Sequence, residues 1–104
     1  MSALSGNETG TVLLRLYVAG GDARSAEARR LCEQVVQRCD PGPCRLEVVD
    51  VLTNPQQAEL DRVLATPTLV RLDPPPVVRL IGGLWNADFV MEALQLNSTN
   101  EHGA

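Results

Sequence analysis

The stretch "LATPTLVRLDPPPVVRL", Leu64 to Leu80, decides how the rest of the chain is read. It carries four of the seven prolines. Two runs in it, Thr68–Leu72 and, with Ile81 added, Val77–Ile81, are β-branched and apolar in the manner of strands. Proline has no backbone N–H and stays out of central strands, so Asp73, Pro74, Pro75 and Pro76 must form the connection. Two short strands with so brief a link predict an antiparallel hairpin.

Upstream, "TVLLRLYV" (Thr11–Val18) is nearly continuous in apolar residues, as a central strand covered on both faces would be. After "AGGD", residues Ala28, Leu31, Cys32, Val35, Val36 and Cys39 recur at helical spacing, predicting a helix over 24–39 with Asp22 or Ser25 as its cap. "DPGP" (Asp40–Pro43) stops it. "RLEVVDV" (Arg45–Val51) is a second strand. Asn54 is a good N-cap and Pro55 suits the first helical position, which predicts a helix over 55–65 with Ala58, Leu60, Val63 and Leu64 available for packing. After the hairpin and "GG", Asn86 caps a last helix, "ADFVMEALQL", with Phe89, Val90, Ala93 and Leu94 inward. The order is β-α-β-α-β-β-α, with the first two strands parallel. A single mixed sheet flanked by helices, the thioredoxin-like α/β fold, has this order. Residues 11–96 are read as one domain, with a lead-in at 1–10 and a flexible tail at 97–104.

Composition narrows the function. The net charge is −4, which gives no bulk attraction to nucleic acid. All nine basic residues are arginine. Schiff-base, P-loop and general-base lysines are therefore excluded. No apolar run reaches the length of a membrane span and no hydrophobic signal core stands near Met1, so a cytoplasmic protein without membrane partners is expected.

The thioredoxin-like order invites a redox reading, which needs a Cys-x-x-Cys between the first strand and the first helix. "AGGDARS" there contains no cysteine. Cys32 and Cys39 fall on the buried stripe of the first helix and are read as structural. A Cys39–Cys44 bridge across "DPGP" is possible in sequence, but a reducing cytosol disfavours it. With His102 the single histidine, no metal site is expected. Asp50, Asp61 and Asp73 read as turn or surface carboxylates, and Gly20–Asp22 lack dinucleotide-site spacing. Catalytic residues and cofactors are thus expected to be absent. Trp85 is either a partner contact or a loop anchor.

Together, "LYVAG", "VVDVLTNPQQAE", "LATPTLVRLDPPPVVRLIG" and "GLWN" resemble the KaiB family, and the likeness runs from about Val12 to Leu96. "TPTL" alone would be weak, since thioredoxins carry a similar strand-entry proline. The resemblance implies a non-enzymatic protein that binds a KaiC-like ATPase ring. Further implied partners are a KaiA-like protein or, in trans, a histidine kinase, and roles in stress signalling also fit. It implies two interchangeable folds, one thioredoxin-like and one a ground state with a rearranged C-terminal half, usually tetrameric. By this likeness Asn54, Arg62, Ala65, Thr66, Pro67, Arg71 and Arg79 are the expected partner-binding residues, the arginines meeting acidic groups.

Ala93 and Gln95 stand where clock relatives have glycine and aspartate. Both are better helix formers, the first by roughly 1 kcal/mol, which favours the thioredoxin-like form and a monomer. By likeness, Pro67 stands at the strand-entry position where thioredoxin-like folds usually hold a cis-proline, and the sequence leaves its isomer open. Proline isomerisation takes on the order of tens to hundreds of seconds, so Pro67, Pro74, Pro75 and Pro76 are expected to pace any exchange of folds. The acidic tail of clock members is missing, which suggests a divergent paralogue.

Overall fold

The computed structural model describes residues 11–39, 44–82 and 85–96. The expected lead-in at 1–10, the tail at 97–104 with His102, and the "DPGP" stop lie outside these residues. Seven elements follow in order: β1 (Val12–Val18), α1 (Ala23–Arg38), β2 (Cys44–Asp50), α2 (Pro55–Leu60), β3 (Thr68–Asp73), β4 (Val78–Ile81) and α3 (Ala87–Ala93). The sheet order is β2-β1-β3-β4. β1 runs parallel to β2 and antiparallel to β3, and β3 and β4 form the antiparallel hairpin predicted from the proline-rich stretch.

Period-two alternation splits the central strand between two environments. Leu14, Leu16 and Val18 are fully buried with Ala28, Cys32 and Val35 of α1, Leu69 of β3, and Val90, Met91, Leu94 and Leu96 in and after α3. Burying each of these large apolar side chains is worth about 1.5–3 kcal/mol. The opposite face of β1 carries Arg15 and Tyr17, and α2 approaches it. Trp85 packs against the core cluster as a loop anchor.

Local chemistry sets the boundaries. Asp22 caps α1 by accepting from the Ser25 N–H at 2.8 Å, and Asn86 caps α3 through the Phe89 N–H at 2.8 Å. Asn54 precedes α2 without capping it through its side chain. Gly20 has φ +64, and a β-carbon there would stand 3.1 Å from Leu52 Cδ1, so the turn into α1 needs glycine.

Both later helices are shorter than their apolar spacing suggests. After α2, Arg62 takes φ 58, and the N–H groups of Arg62 and Val63 return to the carbonyls of Glu59 and Ala58. After α3, Gln95 takes φ 57, and the N–H groups of Gln95 and Leu96 return to Glu92 and Met91. These paired bonds are Schellman motifs, which end a helix with a left-handed residue. That position usually holds glycine. Here it holds arginine and glutamine, so composition gives no stop signal.

Three expectations are corrected by the structure. Leu60 and Leu64 are 78% and 95% exposed: α2 buries none of its residues, and Leu64 lies beyond the turn that ends it. Phe89 is half-exposed, and Met91 takes the inward position instead. Gln95 lies beyond α3, so its intrinsic helix preference does not act there.

Candidate functional site

The unusual surface of the molecule lies around α2. An open groove of about 620 Å³ is lined by Val51, Pro55, Ala58, Glu59, Arg62, Val63, Leu64, Ala65 and Thr66. Leu64 in its lining is 95% exposed, and Leu52 and Leu60, each next to a lining residue in the chain, are 67% and 78% exposed. Single exposed leucines are ordinary, but several around one groove mark a surface suited to a partner.

A polar lattice holds this groove against the sheet. The Tyr17 phenol donates to Asp61 Oδ2 at 2.6 Å. Gln57 donates to the same oxygen at 2.8 Å. Arg15 pairs with Glu47 across the β1–β2 ladder at 2.9 Å and reaches Asp61 at 3.5 Å. Burial pushes the Tyr17 phenol above its ordinary pKa, so it remains a donor. The Gln57 and Tyr17 hydrogen bonds, helped by the charges of Arg15 and Arg79, hold the Asp61 carboxyl below the usual carboxylate range. This lattice is built from charge pairing and register, and the sequence signal for it was faint. Asp61 reads in the sequence as a turn or surface carboxylate, and nothing there marks Tyr17 as its partner.

The expected partner-binding residues divide by position. Arg62, Ala65 and Thr66 line the groove. Asn54 is exposed and donates through Nδ2 to the Asp50 carbonyl at 3.1 Å, which shapes the entry to α2. Arg79 is exposed on β4 and donates to the carbonyls of Arg62, at 3.2 Å, and Asp61, so it braces the left-handed turn. Pro67 is fully buried below the groove, behind a cis Thr66–Pro67 bond.

Arg71 differs from its expected placement. It is 4% exposed, and its guanidinium donates to the Leu94 carbonyl at 2.5 Å and the Pro76 carbonyl at 2.8 Å. The cause is register: Arg71 lies opposite Leu14, on the face covered by α1 and α3. It cannot meet a partner in this fold. It ties β3 to the end of α3 and to the proline connection, where the Asp73–Pro74 and Pro75–Pro76 bonds are also cis. Pro74, Pro75 and Pro76 are exposed, and Ala93 is the final residue of α3.

The β1–α1 loop, Ala19–Asp22, holds no cysteine in the structure either. Cys32 is completely buried, which pushes its thiol up to about 12. Cys39 and Cys44 are half-buried at the other end of α1. Asp50 accepts from the N–H groups of Gly20 and Leu52, each at 3.0 Å, and so serves the turns. Among the described residues no cluster of three or more histidine, cysteine or acidic side chains could hold a metal ion. No helix among them is long and apolar enough to cross a membrane.

Comparison with known proteins agrees with this architecture. The family model described as KaiB domain matches residues 15–96. The chain is 45% identical over 86 residues to the circadian clock oscillator protein KaiB of Thermostichus vulcanus, covering 83% of this chain and 80% of that protein. It is 43% identical to KaiB1 of Synechocystis sp. strain PCC 6803, covering 83% and 82%. Among solved structures, the N-terminal domain of Synechococcus elongatus SasA superposes with a TM-score of 0.70 at 24% identity, covering 91% and 90%. Chloroplastic thioredoxin z also gives 0.70 at 24% identity, covering 88% of each chain. These last two likenesses establish the fold as thioredoxin-like.

Proposed function

From the premise that the chain belongs to the KaiB family, we propose that it is a non-enzymatic regulator that binds a KaiC-type ATPase ring and modulates its phosphorylation or signalling output. Its docking surface is the groove beside α2. The observation that carries this reading is the exposed Leu64 in a groove that also holds Arg62, Ala65 and Thr66, with exposed Leu52 and Leu60 adjoining lining residues in the chain. Apolar side chains left in water gain free energy when a partner covers them, and a nearby arginine selects for acidic groups on that partner. Asn54, Pro67 and Arg79 shape the surface, and Arg71 acts from behind it.

The protein works in the cytoplasm as a monomer in the thioredoxin-like form, and a rearranged tetrameric form is its alternative state. In such an exchange Ala93 at the end of α3 and the prolines of the β3–β4 connection would change their surroundings most. A family of circadian regulators and a β1–α1 loop without cysteine both support a binding role over thiol chemistry.

The test measures the affinity of the chain for a KaiC-type ATPase ring with ATP present. Arg62→Glu places a like charge against acidic partner groups and is expected to weaken binding at least about tenfold, the effect of 1.4 kcal/mol. Unchanged affinity would overturn the assignment of this groove.

A further inference from the structure

At the opposite end of α1 from the loop that carries redox chemistry in thioredoxins, two cysteines face each other. Cys39 is the C-cap of α1 and Cys44 is the first residue of β2. Their sulfurs are 2.8 Å apart, joined by a thiol hydrogen bond. Both are only partly buried, at the edge of the core, while Cys32 is wholly buried. Sulfurs bond at about 2.05 Å, so closure needs less than about 1 Å of movement. Only Asp40, Pro41, Gly42 and Pro43 separate the two cysteines in the sequence, which keeps one thiol at high effective concentration about the other.

We propose that Cys39 and Cys44 form a redox-responsive dithiol that a low-molecular-weight disulfide of the glutathione class closes into an intramolecular disulfide. The Cys39 sulfur loses its proton to solvent and attacks one sulfur of the oxidant. A Cys39–glutathione bond forms, the oxidant's S–S bond breaks, and one glutathione leaves as thiolate. The Cys44 sulfur, deprotonated in turn, attacks Cys39 Sγ and expels the second glutathione. The two leaving thiolates take up the two protons. The protein loses two electrons and two hydrogens, and the oxidant gains them as two molecules of reduced glutathione.

In the reduced pair the Cys39 thiol donates to the Cys44 sulfur; once Cys39 gives up its proton the Cys44 thiol donates in return, so Cys39 is the attacking sulfur. That hydrogen bond holds the Cys39 thiol below its ordinary pKa and pushes Cys44 above its own. The C-terminal end of α1 opposes a thiolate at Cys39, so the bond from Cys44 is what favours it. Closure would tie the end of α1 to the start of the edge strand β2. The device stands apart from the groove beside α2 and does not depend on the partner reading.

The test uses the full reduced chain in glutathione buffers stepped from fully reduced to fully oxidised. Free thiols are then alkylated under denaturing conditions and the protein is digested with trypsin. Cleavage after Arg38 and Arg45 releases a peptide, Cys39–Arg45, that contains both cysteines and excludes Cys32. The expected product is this peptide without alkyl groups and lighter by two hydrogens, increasing with oxidised glutathione and reversed by dithiothreitol. Cys44→Ser removes the resolving sulfur and should leave a persistent glutathione adduct on Cys39. The proposal is overturned if both thiols are alkylated after the fully oxidised buffer, or if the wild-type chain accumulates only glutathione adducts or cross-linked dimers. It also fails as written if Cys44→Ser gains no adduct.

Discussion

Arg71 on β3 donates to the carbonyl of Leu94, the C-cap of α3, at 2.5 Å. Arg79 on β4 likewise donates to the carbonyl of Asp61, the C-cap of α2. The two arginines work on opposite faces of the sheet, Arg71 within the apolar core and Arg79 beside the groove. Each takes up a carbonyl that a helix end leaves without an intrahelical partner. The β3–β4 hairpin therefore braces the ends of both short helices.

The first prediction concerns the buried member of this pair. Arg71→Met keeps much of the side-chain volume and removes the donors to Leu94 and Pro76. Two carbonyls then lose charge-assisted hydrogen bonds, each typically worth about 1.5–3 kcal/mol. We expect a net loss of about 2–3 kcal/mol by urea denaturation, because burying methionine in place of a charge offsets part of the cost. Arg71→Lys should recover little, since an ammonium does not reproduce the fork that spans two carbonyls. A midpoint within error of wild type in Arg71→Met would refute the structural role.

Tyr17 and Asp61 supply a pH-dependent counterpart. The Asp61 carboxyl is held below the ordinary carboxylate range, so the folded state prefers its ionised form. Its contribution is present above the unfolded value of about 4 and disappears as pH falls through the lower folded value. Tyr17→Phe removes one donor to the carboxylate and should cost about 1 kcal/mol at neutral pH. It should also flatten the decline in stability below about pH 4. Urea midpoints measured at neutral pH and near pH 3 check both effects. Equal acid sensitivity in Tyr17→Phe and wild type would remove Tyr17 from the linkage.

Much of the fold was legible because its strongest patterns are local. The run from Val12 to Val18, the stripe on α1 and the prolines between β3 and β4 each admit few structures. The groove was legible only by family likeness, which singled out Arg62, Ala65 and Thr66 and missed Leu60 and Leu64. Those leucines match a buried helical stripe in spacing, but α2 buries none of its residues and the left-handed turn at Arg62 ends the helix before Leu64. Arg71 shows the converse. An arginine on a short strand reads as a surface charge until register with Leu14 places it in the core. The Tyr17–Asp61 bond joins residues 44 positions apart, a separation invisible to periodicity.

Leu64 separates partner binding from stability. At 95% exposure its side chain contributes little to the isolated fold, so Leu64→Ser should leave the melting temperature close to wild type. Affinity for a KaiC-type ring should fall about tenfold or more if this leucine is covered on docking. Calorimetry on the free chain and a binding titration test the two halves independently. A large drop in melting temperature would mean that Leu64 is part of the core in solution. Unchanged affinity would move the docking surface elsewhere.

Gln95 gives a prediction whose sign is decisive. If this residue lay inside a helix, replacing it with glycine would cost about 1 kcal/mol through lost propensity. Instead it has φ 57, with its N–H returned to Glu92 and that of Leu96 returned to Met91. In that conformation a side chain costs roughly 1–2 kcal/mol that glycine avoids. Glycine also raises the entropy of the unfolded chain, which returns part of the gain. Gln95→Gly is therefore expected to stabilise the thioredoxin-like form by about 0.5 kcal/mol, raising the melting temperature by roughly 2–4 °C. Ala93→Gly, at the last helical residue, should act in the opposite direction by up to about 1 kcal/mol. Urea denaturation of the two single variants measures both signs. If both glycines destabilised the protein equally, α3 would extend through residue 95 and the Schellman ending would be wrong.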